Sequence, residues 1–238
     1  MISEHEFDSF LIATNKLGAK NLAELYKLEK DFVNLRAKEL ALSPISGDFD
    51  YKHFKDIHHF LFMDVYTWAG KDRNELGINT AFIKGETIFV PANKLDFYAD
   101  EIFTELNKNG YLKNCKSDDE FFDLYAELFA DLNALHPFRE GNGRTQRIFL
   151  NQLAKNAGYD IDLNLIQKDA MIRASIESSR LDLTRIKILI KNSCNKKSEK
   201  ERDDSAEAVL SRMGVAYTKI TKNEAVKTPT DKSKGKER

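Results

Sequence analysis

Cysteine is almost missing from this chain. Cys115 and Cys194 are the only two in 238 residues and stand far apart. That excludes a disulfide scaffold and a cysteine-rich zinc site, and it suits a reduced, cytosolic setting. Net charge is missing too: 37 lysines and arginines face 38 aspartates and glutamates. No overall positive field draws the chain onto nucleic acid or an anionic membrane, so any anion site must be local. No apolar run approaches the length that spans a bilayer, and the opening MISEHEFDSF is acidic; the chain reads as soluble. His53, His58 and His59 lack the i, i+4 spacing of a helical metal pair and read as ordinary helix residues.

Chain breakers are also few, four prolines and eleven glycines, and most of what lies between them repeats at 3.6 residues, which predicts an all-α fold. No internal repeat is present. A length of 238 residues with 42% hydrophobic content supports one main domain, residues 1–194, and a tail, 195–238. Residues 22–41 place Leu22, Leu25, Leu28, Phe32, Leu35 and Leu40 roughly on one face, and residues 51–68 do the same with Phe54, Ile57, Leu61 and Trp68. Over 117–135, Ser117 and Glu120 form a capping box ahead of Phe121, Tyr125, Leu128, Leu132 and Leu135. A further helix from about Gly143 carries Ile148, Phe149, Leu150 and Leu153 and stops at Gly158. One stretch departs from the helical period: FIKGETIFV, residues 82–90, reads as a short hairpin or as an irregular connecting loop. The tail has a charge near +4 against a body near −5 and should be largely flexible. Within it Ala206, Val209, Leu210, Met213 and Tyr217 could line a short helix, either docked on the body or kept for a partner.

Between the two central helices runs HPFREGNGRTQR, residues 136–147. Gly141 and Gly143 permit positive φ and let a ligand approach, so that successive N–H groups can face one concavity ahead of a helix N-terminus, an anion site. Arg144 and Arg147 fall on neighbouring positions of one helical face, and their forked guanidiniums suit phosphate oxygens. Glu140 at the lip would repel phosphate unless a divalent ion such as Mg²⁺ lay between them. His136, with an ordinary pKa near ~6.5, can accept a proton from a hydroxyl nucleophile. Taken singly, these residues read equally as a capping histidine, a turn and a solvated face; their conjunction within twelve positions favours the chemical reading.

The same stretch resembles the Fic signature HPFx(D/E)GNGRxxR at all nine of its specified positions. FDYKHFKDIHHFLFMDVYTWAGKDR is similar to the helix before that family's flap, FIKGETIFV occupies the flap's position, and NQLAKNAGYDIDL resembles the segment after the motif, so that roughly residues 5–193 are covered. The resemblance implies a helical bundle with a small β-hairpin flap over the active site, and transfer of AMP from ATP to a hydroxyl side chain of a target protein. His136 would be the base and Glu140 the Mg²⁺ carboxylate. Gly141, Asn142 and Gly143 would form the anion hole, Arg144 and Arg147 would grip the outer phosphates, and Lys84, Gly85, Glu86 and Thr87 of the flap would border the nucleotide. The flap would hold the target segment by strand pairing.

Family members that phosphorylate proteins carry alanine and lysine where this chain has Gly141 and Gly143, so the GNG pattern implies nucleotidyl transfer. The family's inhibitory motif, [S/T]xxxE[G/N], finds only Ser233 to Glu237, followed by Arg238. An unrestrained transferase would harm its host, which implies a toxin or effector paired with a small antitoxin that supplies the glutamate. The protein would act in the cytoplasm or be secreted into a host cell. The rival reading is a non-catalytic helical module that binds a nucleotide or a partner, or a transferase of another phosphate-containing group.

Overall fold

The computed structural model describes residues 4–78, 82–84 and 87–195, with the side chains of residues 4–7 and of Lys84 left aside. Gly85, Glu86 and the tail beyond 195, including Ser233–Glu237 and the apolar stripe from Ala206 to Tyr217, lie outside the described residues. In chain order the elements are α1 (Glu4–Thr14), α2 (Leu22–Leu42), α3 (Tyr51–Phe62), β1 (Ile83–Lys84), β2 (Thr87–Ile88), α4 (Leu95–Lys108), α5 (Asp118–Leu135), α6 (Asn142–Asn156), α7 (Lys168–Ser178) and α8 (Thr184–Asn192). The all-α expectation holds, with one two-stranded sheet. No helix among the described residues is long and apolar enough to cross a membrane.

The helices start where side chains meet orphan amides. Asn21, Asp50 and Ser117 accept from Glu24 N, His53 N and Glu120 N, replacing donors that helix geometry leaves unpaired. Glu120 in turn takes the amide of Lys116 at 2.5 Å. The helix over α6 ends as its sequence predicts, with Gly158 at φ +90° and Tyr159 N donating back to Ala154 O at 2.9 Å.

The core lies where α5 and α6 meet their neighbours. α5 buries Phe121, Phe122, Tyr125, Phe129, Leu132 and Leu135, while α6 turns Phe149 onto α3 and α4. The Phe149 ring meets Phe54 edge-on at 5.3 Å and Phe103 at 5.8 Å. Aromatic density of this kind fixes the relative placement of three helices, because a ring in a close-packed interior has few alternative orientations.

α2 differs from its expected face. Leu25, Glu29, Val33 and Leu40 are buried, whereas Phe32 and Leu35 are 38% and 56% exposed. The apolar stripe is rotated about one step around the helix because Glu29 lies on the inner face, paired with a motif arginine. A hydropathy pattern treats that acid as an outward residue, and the buried ion pair is what reverses it.

Replacing Phe149 by alanine opens a cavity at the α3, α4 and α6 junction and should lower stability by about 3–5 kcal/mol; a denaturant titration of the two proteins measures it.

Candidate active site

α5 delivers the chain to His136, which ends the helix in the left-handed region at φ 41°, ψ 56° while its amide still donates to Leu132 O at 3.2 Å. A non-glycine residue holds such a conformation only where its surroundings enforce it. Two features do so here. The imidazole lies against the Phe89 ring at 3.8 Å, with Phe82 at 5.5 Å. On the backbone side the fully buried Arg73 donates Nε–H to His136 O at 3.0 Å and an Nη2 hydrogen to Val90 O at 2.7 Å, with Leu135 O at 3.4 Å. Its own amide reaches Pro137 O at 2.8 Å. The guanidinium thereby gathers the carbonyls at the end of α5 and the exit of the flap, and its plane lies over Phe82 at 5.0 Å. Burial pushes the Arg73 pKa down to about 10, which leaves it charged at neutral pH.

The turn from His136 to α6 is closed from inside. Phe138 is fully buried between Phe54, at 5.6 Å, and His58, at 3.8 Å, both stacked. The Asn142 side chain accepts from Phe138 N at 2.8 Å and donates to Phe138 O at 2.6 Å. Both polar ends of Asn142 thus hold the loop, and its backbone N–H is free of any helical acceptor to meet an anion. His58, read as an ordinary helix residue from its spacing, is instead a strut of the site. Its Nδ1 accepts from Gly70 N at 2.9 Å and its Nε2 lies 3.1 Å from Glu140 O. An amide can only donate, so Nε2 carries the hydrogen given to that carbonyl. Burial drives the His58 pKa down to about 3, so the ring is neutral and keeps this tautomer.

Only one of the motif glycines needs positive φ. Gly141 has φ +86°, and a β-carbon there would fall 2.3 Å from Cζ of Phe62. Gly143 is in ordinary helical conformation, and a β-carbon there would meet only Arg147 Nη1, at 3.4 Å. Of the two expectations for these glycines, positive φ is found at Gly141 and not at Gly143, while unobstructed approach is found at Gly143, which borders open space. It lines a cavity of about 780 Å³ with Glu140, Gly141, Arg144 and Arg147, and an adjoining, more apolar one of about 390 Å³ with His136, Thr87, Phe89 and Arg147.

At the head of α6 the first helical bond is Thr145 N to Gly141 O at 3.1 Å, so the amides of Asn142, Gly143 and Arg144 have no intrahelical acceptor. The Gly141 amide is already taken by Glu140 Oε1 at 3.0 Å, and Arg144 Nη2 donates to the same oxygen at 3.1 Å. Both contacts fall on Oε1, which leaves Oε2 for a cation. No group of three or more His, Cys, Asp or Glu side chains able to hold a metal occurs among the described residues. A single carboxylate at the edge of an open cavity lined by two arginines fits Mg²⁺, which keeps water and substrate oxygens as its other ligands. Arg144 Nη1 pairs with Glu29, whose other oxygen accepts from the Tyr66 hydroxyl. Arg147 rests on Asn164 Oδ1 at 3.2 Å and has no ion pair among the described residues; burial, and then the positive charge of Arg144, hold its pKa below the usual range.

The structure thus brings together His136, Glu140, Gly141, Asn142, Gly143, Arg144, Arg147 and Thr87 of the predicted set. β1 and β2 pair antiparallel, Ile83 with Ile88 and Lys84 with Thr87, and the ladder continues through Phe89 N to Phe82 O at 3.1 Å. Of Lys84 only the backbone is described. Arg73, His58 and Glu29 were missed by sequence reasoning. For His58 a signal existed in a polar residue on the inner face of an apolar helix; Arg73, within the charged run Lys71-Asp72-Arg73-Asn74-Glu75, and Glu29, whose partner is 115 residues away, had none.

Comparison with known proteins places these features in a wider set. The Fic/DOC family profile matches residues 48–154. Protein adenylyltransferase VbhT of Bartonella schoenbuchensis is 38% identical over 199 residues, covering 84% of this chain and 40% of VbhT, so the chain spans well under half of that relative's length. The protein y4lH of Sinorhizobium fredii, named a "Probable protein adenylyltransferase", is 36% identical over 72% of this chain and 85% of its own. Among solved structures, the N-terminal Fic domain of a VirB-translocated effector protein from Bartonella quintana, with bound ADP, superposes at TM-score 0.72 with 31% identity, over 82% of this chain and 97% of that one.

Two substitutions test the local geometry. Gly141→Ala forces an L-residue to φ +86° against the Phe62 ring and should cost about 2 kcal/mol or more, read as a lowered denaturation midpoint together with weaker nucleotide binding. His58→Phe preserves the stacking on Phe138 but strands Gly70 N–H and Glu140 C=O, each worth about 1–3 kcal/mol when buried and unpaired, and a thermal or chemical melt should show that loss.

Proposed function

Because the chain belongs to the Fic/DOC family, we propose that it is a protein adenylyltransferase, moving AMP from ATP to a hydroxyl side chain of a target protein. One observation carries the reading. Glu140, the head of α6, Arg144 and Arg147 border one cavity, His136 borders the cavity beside it, and Gly143 and Arg147 border both. The outer phosphates belong in the larger space among the arginines. The adenosine belongs in the smaller one, against Phe89, Phe129, Met171 and Ile176. That leaves the α-phosphate at the shared wall, next to His136.

The chemistry is an in-line displacement. The target hydroxyl oxygen forms a bond to the α-phosphorus as the bond to the β-phosphate's bridging oxygen breaks. Pyrophosphate leaves with the electron pair, and the hydroxyl proton passes to an imidazole nitrogen of His136. The amides at the head of α6 bind the α-phosphate oxygens, where charge must be met by donors already in place. Mg²⁺ on Glu140 would neutralise charge between the phosphates.

The flap supports the choice of partner. Its two strands leave main-chain groups at the edges, Ile83 and Ile88 are outward, and Thr87 is buried toward the nucleotide side. A target segment added as a third strand would be held through its backbone. Arg147, with no ion pair among the described residues, is suited both to a phosphate and to a glutamate brought by another protein, which supports restraint by a small antitoxin in trans. A toxin or secreted effector role accords with both. A non-catalytic module would not need a base and a metal carboxylate on adjoining walls.

Incubating the protein with ATP labelled at the α-phosphate, Mg²⁺ and a lysate should label protein. Label arriving only from the γ-position would instead show phosphotransfer, and no label from either position would refute the transferase reading. His136→Ala should reduce transfer by about 10²-fold or more while ATP binding, measured by calorimetry, stays close to that of the unmodified protein, because base and anion cradle occupy different walls.

A further inference from the structure

Glu29 lies in the middle of α2, 115 residues before the arginine it holds, and nothing in the proposed chemistry uses it. It is 3% exposed. Each of its oxygens has one partner: Oε1 takes Arg144 Nη1 and Oε2 takes the hydroxyl of the buried Tyr66. Tyr66 is itself stacked on Trp68 at 4.5 Å, so the carboxylate is fixed from behind. The Arg144 guanidinium also lies over the Phe62 ring at 4.7 Å and reaches Glu140 with Nη2.

Glu29 is not among the residues that line the 780 Å³ cavity, whereas Arg144 and Glu140 are. It therefore grips the arginine from the side away from the nucleotide. A guanidinium has five N–H groups, and with one spent on Glu29 and one on Glu140 three remain. We propose that Glu29 is a positioning residue: it holds Arg144 so that the free edge of the guanidinium faces the outer phosphates of ATP. This rests on the nucleotide reading of the cavity. It also separates the two motif arginines, Arg144 being oriented and partly neutralised by carboxylates, and Arg147 supplying charge.

The test compares ATP with AMP, which lacks the outer phosphates, by calorimetry in EDTA so that no metal enters. Glu29→Ala should weaken ATP binding about tenfold and leave AMP binding within about twofold of the parent. Glu29→Gln, which keeps an acceptor oxygen for Arg144, should recover most of the ATP affinity. Equal weakening of ATP and AMP would reduce Glu29 to a general structural role and overturn the proposal, as would a Gln variant no better than Ala. Unchanged or tighter ATP binding in Glu29→Ala would overturn it as well, tighter binding showing that the carboxylate competes with phosphate. Failure of the parent protein to bind ATP would instead refute the nucleotide reading itself.

Discussion

The active site hangs from one buried cation. Among the described residues Arg73 has no carboxylate in hydrogen-bonding contact; its acceptors are the carbonyls of His136, Val90 and Leu135. A guanidinium taken out of water is expensive, and a set of carbonyls at a helix C-terminus is among the few neutral environments able to repay it, since those oxygens lack helical partners and carry the negative end of the dipole. The exchange binds two places that sequence order keeps apart: the end of α5 with its left-handed cap His136, and the strand leaving the flap. Without the cation, His136 would be a strained residue at a frayed helix end, and nothing would tie its carbonyl to Val90.

The opposite side of the site is organised by carboxylates. Arg144 is held between Glu29 and Glu140, and Arg147 leans on an amide oxygen. Two cations three residues apart repel, and the structure relieves this unequally, by compensating one and leaving the other short of counter-charge. The head of α6 thereby keeps a strong attraction for anions while one of its two guanidiniums stays in a single orientation. The short link from Glu140 Oε1 to the Gly141 amide belongs to the same economy: before any phosphate arrives, the negative group nearest the anion cradle occupies one of its donors.

Much of this was legible in the sequence. The long helices followed from periodicity and capping residues, the hairpin from the β-branched flanks of Lys84-Gly85-Glu86, and the site from twelve contiguous residues whose chemistry is local. What stayed hidden is of one kind. Glu29, His58 and Arg73 are polar residues on buried faces, and each is satisfied by a partner between 12 and 115 residues away. Hydropathy assigns such residues to solvent, and only tertiary contact shows that their hydrogen bonds are made inside. The glycines illustrate the complementary error: equal in sequence, Gly141 is required by φ and by the Phe62 ring, while Gly143 is required by neither and matters for the space it leaves.

On the proposed function, transfer to a particular hydroxyl would demand accurate placement, yet strand pairing on a flap would recognise backbone, which every protein has. The two are reconciled by where the flap is anchored. Val90 N donates to Ala134 O in the last turn of α5 at 3.0 Å, and Val90 O and His136 O accept from the same guanidinium. Phe89, next in the strand, lies on the imidazole. A segment that paired with the flap would consequently be registered against His136 through a frame with few free torsions, and the position of a residue along that segment would decide whether its hydroxyl reached the proposed base. Selection by register needs no deep side-chain pocket. On that proposal, specificity would then rest on which proteins can present an extended segment to the flap edge, and because Thr87 and Phe89 of the flap also line the smaller cavity with His136, the same frame would border the nucleotide.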